Sequence, residues 1–167
     1  PPVRRIMMFS RIDEVISVNE IETTLSTNFW KSGAVSPEGF KSLTAFYPFP
    51  VPTWLYRVNG GLLTKQVAMM PGKQQVAVGF TWHGDRIRTT TRDLRVLHDA
   101  EESAHLRLHM LVNYRDFHSA TTGSDDWHFE QHQESELVRI RAFPDAQSLS
   151  IYYDRGTYTQ ASDWYRD

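Results

Sequence analysis

The sequence predicts an all-β fold, an antiparallel β-sandwich. Three observations carry that expectation. Runs rich in β-branched and aromatic residues recur about ten times, separated by turn residues roughly every eight to twelve positions, the spacing of sandwiches and barrels. No alternation of strand-like with helix-like segments is present, which argues against a parallel sheet of βαβ units. The third is the stretch Pro52–Trp82, PTWLYRVNGGLLTKQVAMMPGKQQVAVGFTW, which reads as three consecutive antiparallel strands.

In that stretch Thr53–Val58 runs into Asn59-Gly60-Gly61, where Asn and Gly tolerate the positive φ of a tight hairpin. Leu62–Met70 follows, Pro71-Gly72-Lys73 turns the chain, and Gln74–Trp82 returns. Alternation puts Leu63, Lys65, Val67 and Met69 on one face and Leu62, Thr64, Gln66 and Ala68 on the other. Trp54 and Tyr56 share a face, opposite Leu55 and Arg57.

Ahead of the meander, Val3–Phe9 is β-rich, and Ser10–Asp13 extends it. Glu14–Val18 and Ile21–Leu25 flank Asn19-Glu20, a hairpin with a weaker turn signal than Asn-Gly. Thr27–Gly39 is rich in Asn, Gly, Ser and Pro and reads as a loop. Its Phe29 and Trp30 either plug it onto the core, the commoner case and the expectation here, or face a ligand. Phe40–Tyr47 is a strand, ended by Pro48, Pro50 and Pro52, whose missing donors exclude a central strand.

Beyond the meander, His83–Glu102 is charged and reads as a surface loop or insertion, with a short helical turn at Arg92–His98. Ala104–Val112 alternates Ala104, Leu106, Leu108, Met110 and Val112 with His105, Arg107, His109 and Leu111, a clear strand. Asn113–His118 sits where this strand meets a loop, with a polar turn at Thr121–Asp126 after it. Trp127–Gln133, Leu137–Phe143 and Ser148–Asp154 are three further strands. Arg155-Gly156 turns the chain, and Ser162–Arg166 reads as the start of a helix or as a docking segment. No internal repeat or linker-like tract interrupts the chain, and a length of 167 residues is that of one domain.

Composition narrows the function. The net charge is −2, so there is no basic field for binding duplex nucleic acid by phosphate neutralisation. No apolar run reaches the ~18 residues of a membrane span. The chain has no cysteine, which excludes a disulfide scaffold, a thiolate metal site and a cysteine nucleophile and fits a cytoplasmic protein. Aromatic residues make up 13% of the chain, which suits pleated, half-buried surfaces and also a carbohydrate surface.

His105 and His109 share a strand face with Arg107 between them, and His128 and His132 share another with Glu130 between them. Two histidines and a carboxylate on neighbouring strands can bind zinc. Alternation alone predicts the same polar faces, and Arg107 would repel a cation, so no metal and no cofactor is assigned. Asp13-Glu14, Glu101-Glu102 and Asp125-Asp126 are adjacent pairs whose members point to opposite strand faces, so none is an acid/base dyad by itself. There is no nucleophile elbow and no phosphate-loop pattern, so no catalytic residue is assigned. Asn113, Tyr114, Arg115, Asp116 and His118 combine planar polar groups and aromatic rings at a strand end, a place where function commonly sits. They are the candidate substrate-binding residues. The competing reading is a buried Arg–Asp pair closing the end of the sandwich.

Five segments in the same order resemble one family. MMFSRIDEVI (Met7–Ile16), LSTN with SPEGFKSLTAF (Leu25–Asn28, Ser36–Phe46), the central stretch Phe49–Trp82, LVNYRDFH (Leu111–His118) and DWYRD (Asp163–Asp167) resemble the N-terminal domain of the bacterial and archaeal type glycogen debranching enzymes, the amylo-α-1,6-glucosidases. Phe117 stands where the family often has Tyr, and His83–Glu102 is longer and more charged than the usual connection. The resemblance implies a β-supersandwich of the galactose-mutarotase-like kind, incomplete at its N-terminal edge, within a larger multidomain hydrolase. It implies a catalytic α/α barrel as partner in the same chain, with the acid and base carboxylates there and not here. It also implies that an α-glucan is the ligand, that Asn113–His118 helps shape its site, and that Trp164 and Tyr165 serve domain docking. A stand-alone carbohydrate-binding module and a purely structural interaction domain are the alternatives.

Overall fold

A computed structural model describes residues 5–84, 104–120 and 127–161. The fold is all-β, with antiparallel sheets and, among the described residues, one 3₁₀ turn. The chain forms two compact units. One comprises Asp13–His109, the other Pro1–Ile12 with Met110–Asp167.

The Asp13–His109 unit is organised by the predicted meander. β5 (Leu43–Tyr47), β6 (Thr53–Val58), β7 (Gly61–Met69) and β8 (Val76–Trp82) form one sheet in that order. The β6–β7 turn is two residues long, with Asn59 at φ 45° and Gly60 at φ 92°, as the right-handed twist of a tight hairpin requires. Gly61 then opens β7 because a Cβ there would strike the ring of Trp82. The turn after β7 is closed by the Met70 N–H donating to the Gln75 carbonyl at 3.0 Å.

A second sheet runs in the order β2 (Ile21–Thr24), β1 (Ile6–Val18), β9 (Ala104–Asp116). Asn19 and Glu20, at φ 51° and 65°, make the β1–β2 hairpin that the sequence indicates. β1 is one continuous strand of 13 residues, joining the two runs that the sequence reading separates. Within the unit the core lies between the two sheets. Ile16, Val18 and Leu25 pack against Tyr56, Val58 and Leu63, with Trp54, Phe80, Trp82, Ala104 and Leu106 around them.

Three local expectations are corrected. Thr27–Gly39 is not a plain loop: β3 (Thr27–Phe29) and β4 (Val35–Glu38) pair antiparallel. The Trp30 N–H donates to Ala34 at 2.9 Å, and the Trp30 indole donates to the Ser36 carbonyl at 2.7 Å, closing the turn. Phe29 does not plug the core; it is 80% exposed. The strand expected from Phe40 starts only at Leu43, because Gly39–Ser42 forms the 3₁₀ turn. Gly39 is required there: a Cβ would collide with the main-chain carbonyls of Leu25 and Ser26.

The other unit contains β10 (Glu130–Glu134), β11 (Leu137–Arg141) and β12 (Leu149–Tyr152), an antiparallel sheet in that order. Val138, Ile140, Ala142 and Ala146 are buried in it. The segment after Gly156 is tied down by two contacts with Gln131. The Tyr158 hydroxyl donates to its side-chain oxygen, and its amide donates to the Ala161 carbonyl at 3.0 Å.

Candidate functional site

β9 is longer than the sequence reading sets it, and carries Asn113, Tyr114, Arg115 and Asp116 as strand residues. His118 lies in the turn that follows. The five candidates are thus together at one strand end, but their side chains do different things.

Tyr114 points into the packing of its unit. Its ring meets Phe143 edge-on with centroids 5.0 Å apart, and its hydroxyl accepts a hydrogen bond from the Gln147 N–H at 3.4 Å. Such an aromatic anchors the strand through its apolar body while its polar tip finds a partner. Asn113 turns its side-chain oxygen to the Tyr114 N–H at 2.8 Å. Both residues line a hollow with Met8, Phe129 and Ile140 whose volume is ≈ 10 Å³. That is room for about one water and not for a sugar ring.

Arg115 is a staple. Its Nη1 donates to the main-chain oxygens of Asp116 at 3.2 Å, Phe117 at 3.1 Å and Ser119 at 2.5 Å. The Asp116 carboxylate accepts the His118 N–H at 3.0 Å, an Asx-turn, while the Asp116 carbonyl accepts the Ser119 N–H at 3.1 Å. The expected pairing of Arg115 with the Asp116 carboxylate therefore gives way to main-chain contacts. Main-chain carbonyls clustered at a strand end offer the guanidinium more acceptors than one carboxylate does. Phe117, 50% exposed, meets the His118 imidazole edge-on at 5.2 Å, and its N–H donates to the Arg5 carbonyl at 2.9 Å.

Chemically, this is a surface turn that exposes a phenyl ring and an imidazole beside a guanidinium bonded to its main chain. Asp116 is its only carboxyl group. Glycoside hydrolysis needs two carboxyl groups roughly 5–10 Å apart across the scissile bond, so the turn alone does not supply them. Its groups suit contact with hydroxyls and with a sugar face.

The histidine faces are also placed. His105, Arg107 and His109 are exposed on β9, and Arg107 pairs with Glu22 at 2.5 Å. Glu130 pairs with Arg141 at 2.8 Å, and that hydrogen bond and charge hold its carboxyl below the usual range. Among the described residues no group of three His, Cys, Asp or Glu side chains is placed to hold a metal ion. Trp164 and Tyr165, and most of His83–Glu102, lie outside the described residues.

One polar grouping escaped the sequence reading. Glu14, 3% exposed, forms an ion pair with Lys65 inside the Asp13–His109 unit. The Lys65 ammonium lies 5.9 Å from the centroid of the Trp54 ring. Burial, and secondarily the Glu14 charge, push the Tyr56 hydroxyl above its ordinary pKa. A signal was present: Lys65 shares an alternation face with Leu63 and Val67, and a lysine on an apolar face calls for a buried counter-ion.

The fold and the turn together define a β-sandwich protein with a polar, aromatic strand-end surface. The family described as glycogen debranching enzyme N terminal matches residues 1–167, and the chain belongs to that family. No curated protein and no solved structure matches it. No helix among the described residues is long and apolar enough to cross a membrane.

Proposed function

We propose that the chain is the non-catalytic N-terminal domain of a glycogen debranching enzyme. The whole enzyme hydrolyses α-1,6-glucosidic branch points in the cytoplasm. This domain packs on its catalytic α/α barrel, and the Asn113–His118 turn helps shape the glucan site. The family match over residues 1–167 carries the reading. The single carboxylate of the turn supports a binding role over a catalytic one. The exposed Phe117 and His118 rings support contact with a sugar face.

The test is Arg115→Ala in the complete enzyme. Loss of the staple frees the turn, and debranching of a branched α-glucan falls, mainly through a higher KM. Unchanged kinetics in a folded variant would remove the turn from the glucan site. Titration of the 167-residue chain with maltooligosaccharides is expected to show weak binding at most; tight binding would favour a stand-alone carbohydrate-binding module.

A further inference from the structure

The four-stranded sheet of the Asp13–His109 unit has two edges, built differently. The β5 edge is five residues long, slips register between Leu43 and Ala45, and runs into Pro48 and Pro50. Shortness, a bulge and proline all discourage pairing with another chain. β8, the opposite edge, is seven residues, VAVGFTW. It has no proline and no charge, and its register with β7 is unbroken from Val76 to Trp82. Among the described residues no strand lies beyond it in the sheet. Among the described residues the proline, bulge and charge that usually protect an edge are missing here.

The phase of the ladder decides which groups it offers. The His83 N–H bonds the Leu62 carbonyl, and the Met70 N–H bonds the Gln75 carbonyl. Antiparallel alternation then turns the N–H and C=O of Ala77, Gly79 and Thr81 toward β7, and those of Val76, Val78, Phe80 and Trp82 outward. The side chains of these four lie on the same face as Met69, Val67, Lys65 and Leu63, their partners on β7. That face is packed at the Leu63 end but open at the other, where Phe46 is 49%, Met69 76% and Val76 55% exposed.

We propose that β8 is the seam of a two-fold homodimer, with the β8 strands of two copies pairing antiparallel about Gly79. This goes beyond the reading of the chain as an enzyme domain. The occupant is a second copy because the strand complements itself. Centring the axis on Gly79 pairs all seven residues and makes every outward N–H and C=O part of a ladder. Val78 faces Phe80 and Val76 faces Trp82 on the apolar side, β-branched against aromatic, a favourable cross-strand match. No like charges meet, since the strand has none. The open face then continues across both copies. At the axis the two Gly79 Cα atoms form a non-hydrogen-bonded pair, about 4.5 Å apart.

The cysteine-free chain makes the register testable. Gly79→Cys fits without strain, because nothing lies within 4 Å of a Cβ there. The axial separation is within reach of a disulfide. Under mild oxidation the Gly79→Cys chain should become a covalent dimer on non-reducing gels, while Tyr47→Cys at the β5 edge stays monomeric. The unsubstituted chain should sediment as a dimer across a concentration series. Val78→Lys, which leaves the β7 ladder intact, should weaken self-association by about tenfold. A monomeric unsubstituted chain, Gly79→Cys cross-linking no faster than Tyr47→Cys, or Val78→Lys associating as strongly as the parent would each overturn the proposal. Occupation of this edge by a different protein or domain would do the same. None of these results bears on debranching, so the functional reading stands or falls separately.

Discussion

Glu14 with Lys65, and Arg115 with Asp116, each bring opposite charges to neighbouring positions, and the two pairs behave in opposite ways. Inside the Asp13–His109 unit the buried glutamate has no solvent to turn to, so it pairs with the half-buried lysine, whose ammonium lies near the ring of Trp54. At the end of β9 the arginine and aspartate are next to the main-chain groups of a turn, and each takes those instead. A buried charge is committed to its partner, since leaving it alone costs far more than the pair gains. A charge nearer the surface is free to organise a turn instead. Structure therefore rests on the first pair, and function is better sought at the second.

The contrast is broken most severely at Glu14. Glu14→Ala leaves Lys65 half-buried and uncompensated, and should cost about 3 kcal/mol in denaturant unfolding. Replacing both, Glu14→Leu with Lys65→Met, should recover most of that loss; a double variant as unstable as the single one would contradict the pairing account. Glu14→Gln should also lower the Tyr56 pKa toward its ordinary value, read by ultraviolet titration. With Tyr56 raised in the folded state, its contribution to stability is complete below about pH 10. It is lost as pH rises through the folded value, because the unfolded chain ionises first.

Next in size is Gly39→Ala, which forces the 3₁₀ turn off Leu25 and should cost about 2 kcal/mol. Thermal unfolding reads it, and a neutral result would mean that the turn shifts freely. Arg115→Ala should be milder, about 1 kcal/mol, because water replaces the exposed donors. An effect as large as that of Glu14→Ala would put the arginine on the structural side of the comparison.

The smallest effect belongs to the exposed pair of Glu130 and Arg141. The depressed carboxyl of Glu130 adds stability above its unfolded pKa, lost as pH falls through the folded value. Arg141→Gln should raise the Glu130 pKa in a carboxyl NMR titration, with little change in unfolding at neutral pH. An unmoved Glu130 pKa would show that Arg141 is not what holds it down.

Much of the fold was legible because its signals are local. Asn59-Gly60 and Pro71-Gly72 mark turns by their own chemistry, and the meander between them follows by alternation. Where a signal depends on distant partners, the sequence is silent. Thr27–Gly39 reads as a loop because its Gly, Ser and Pro content hides a short hairpin that Trp30 closes. The strand end at Asn113–His118 was visible as a cluster of residue types. That Arg115 bonds backbone and not Asp116 was not, since free carbonyls leave no mark in sequence. Glu14 and Lys65 are 51 positions apart, and only the register of two sheets brings them together.

The most direct test measures glucose release from an α-1,6-branched glucan, comparing the complete enzyme with the 167-residue chain under the same conditions. The complete enzyme should release glucose and the chain should release none. Glucose release by the chain alone, or none by the complete enzyme, would contradict the reading of this domain as the non-catalytic part of a debranching enzyme.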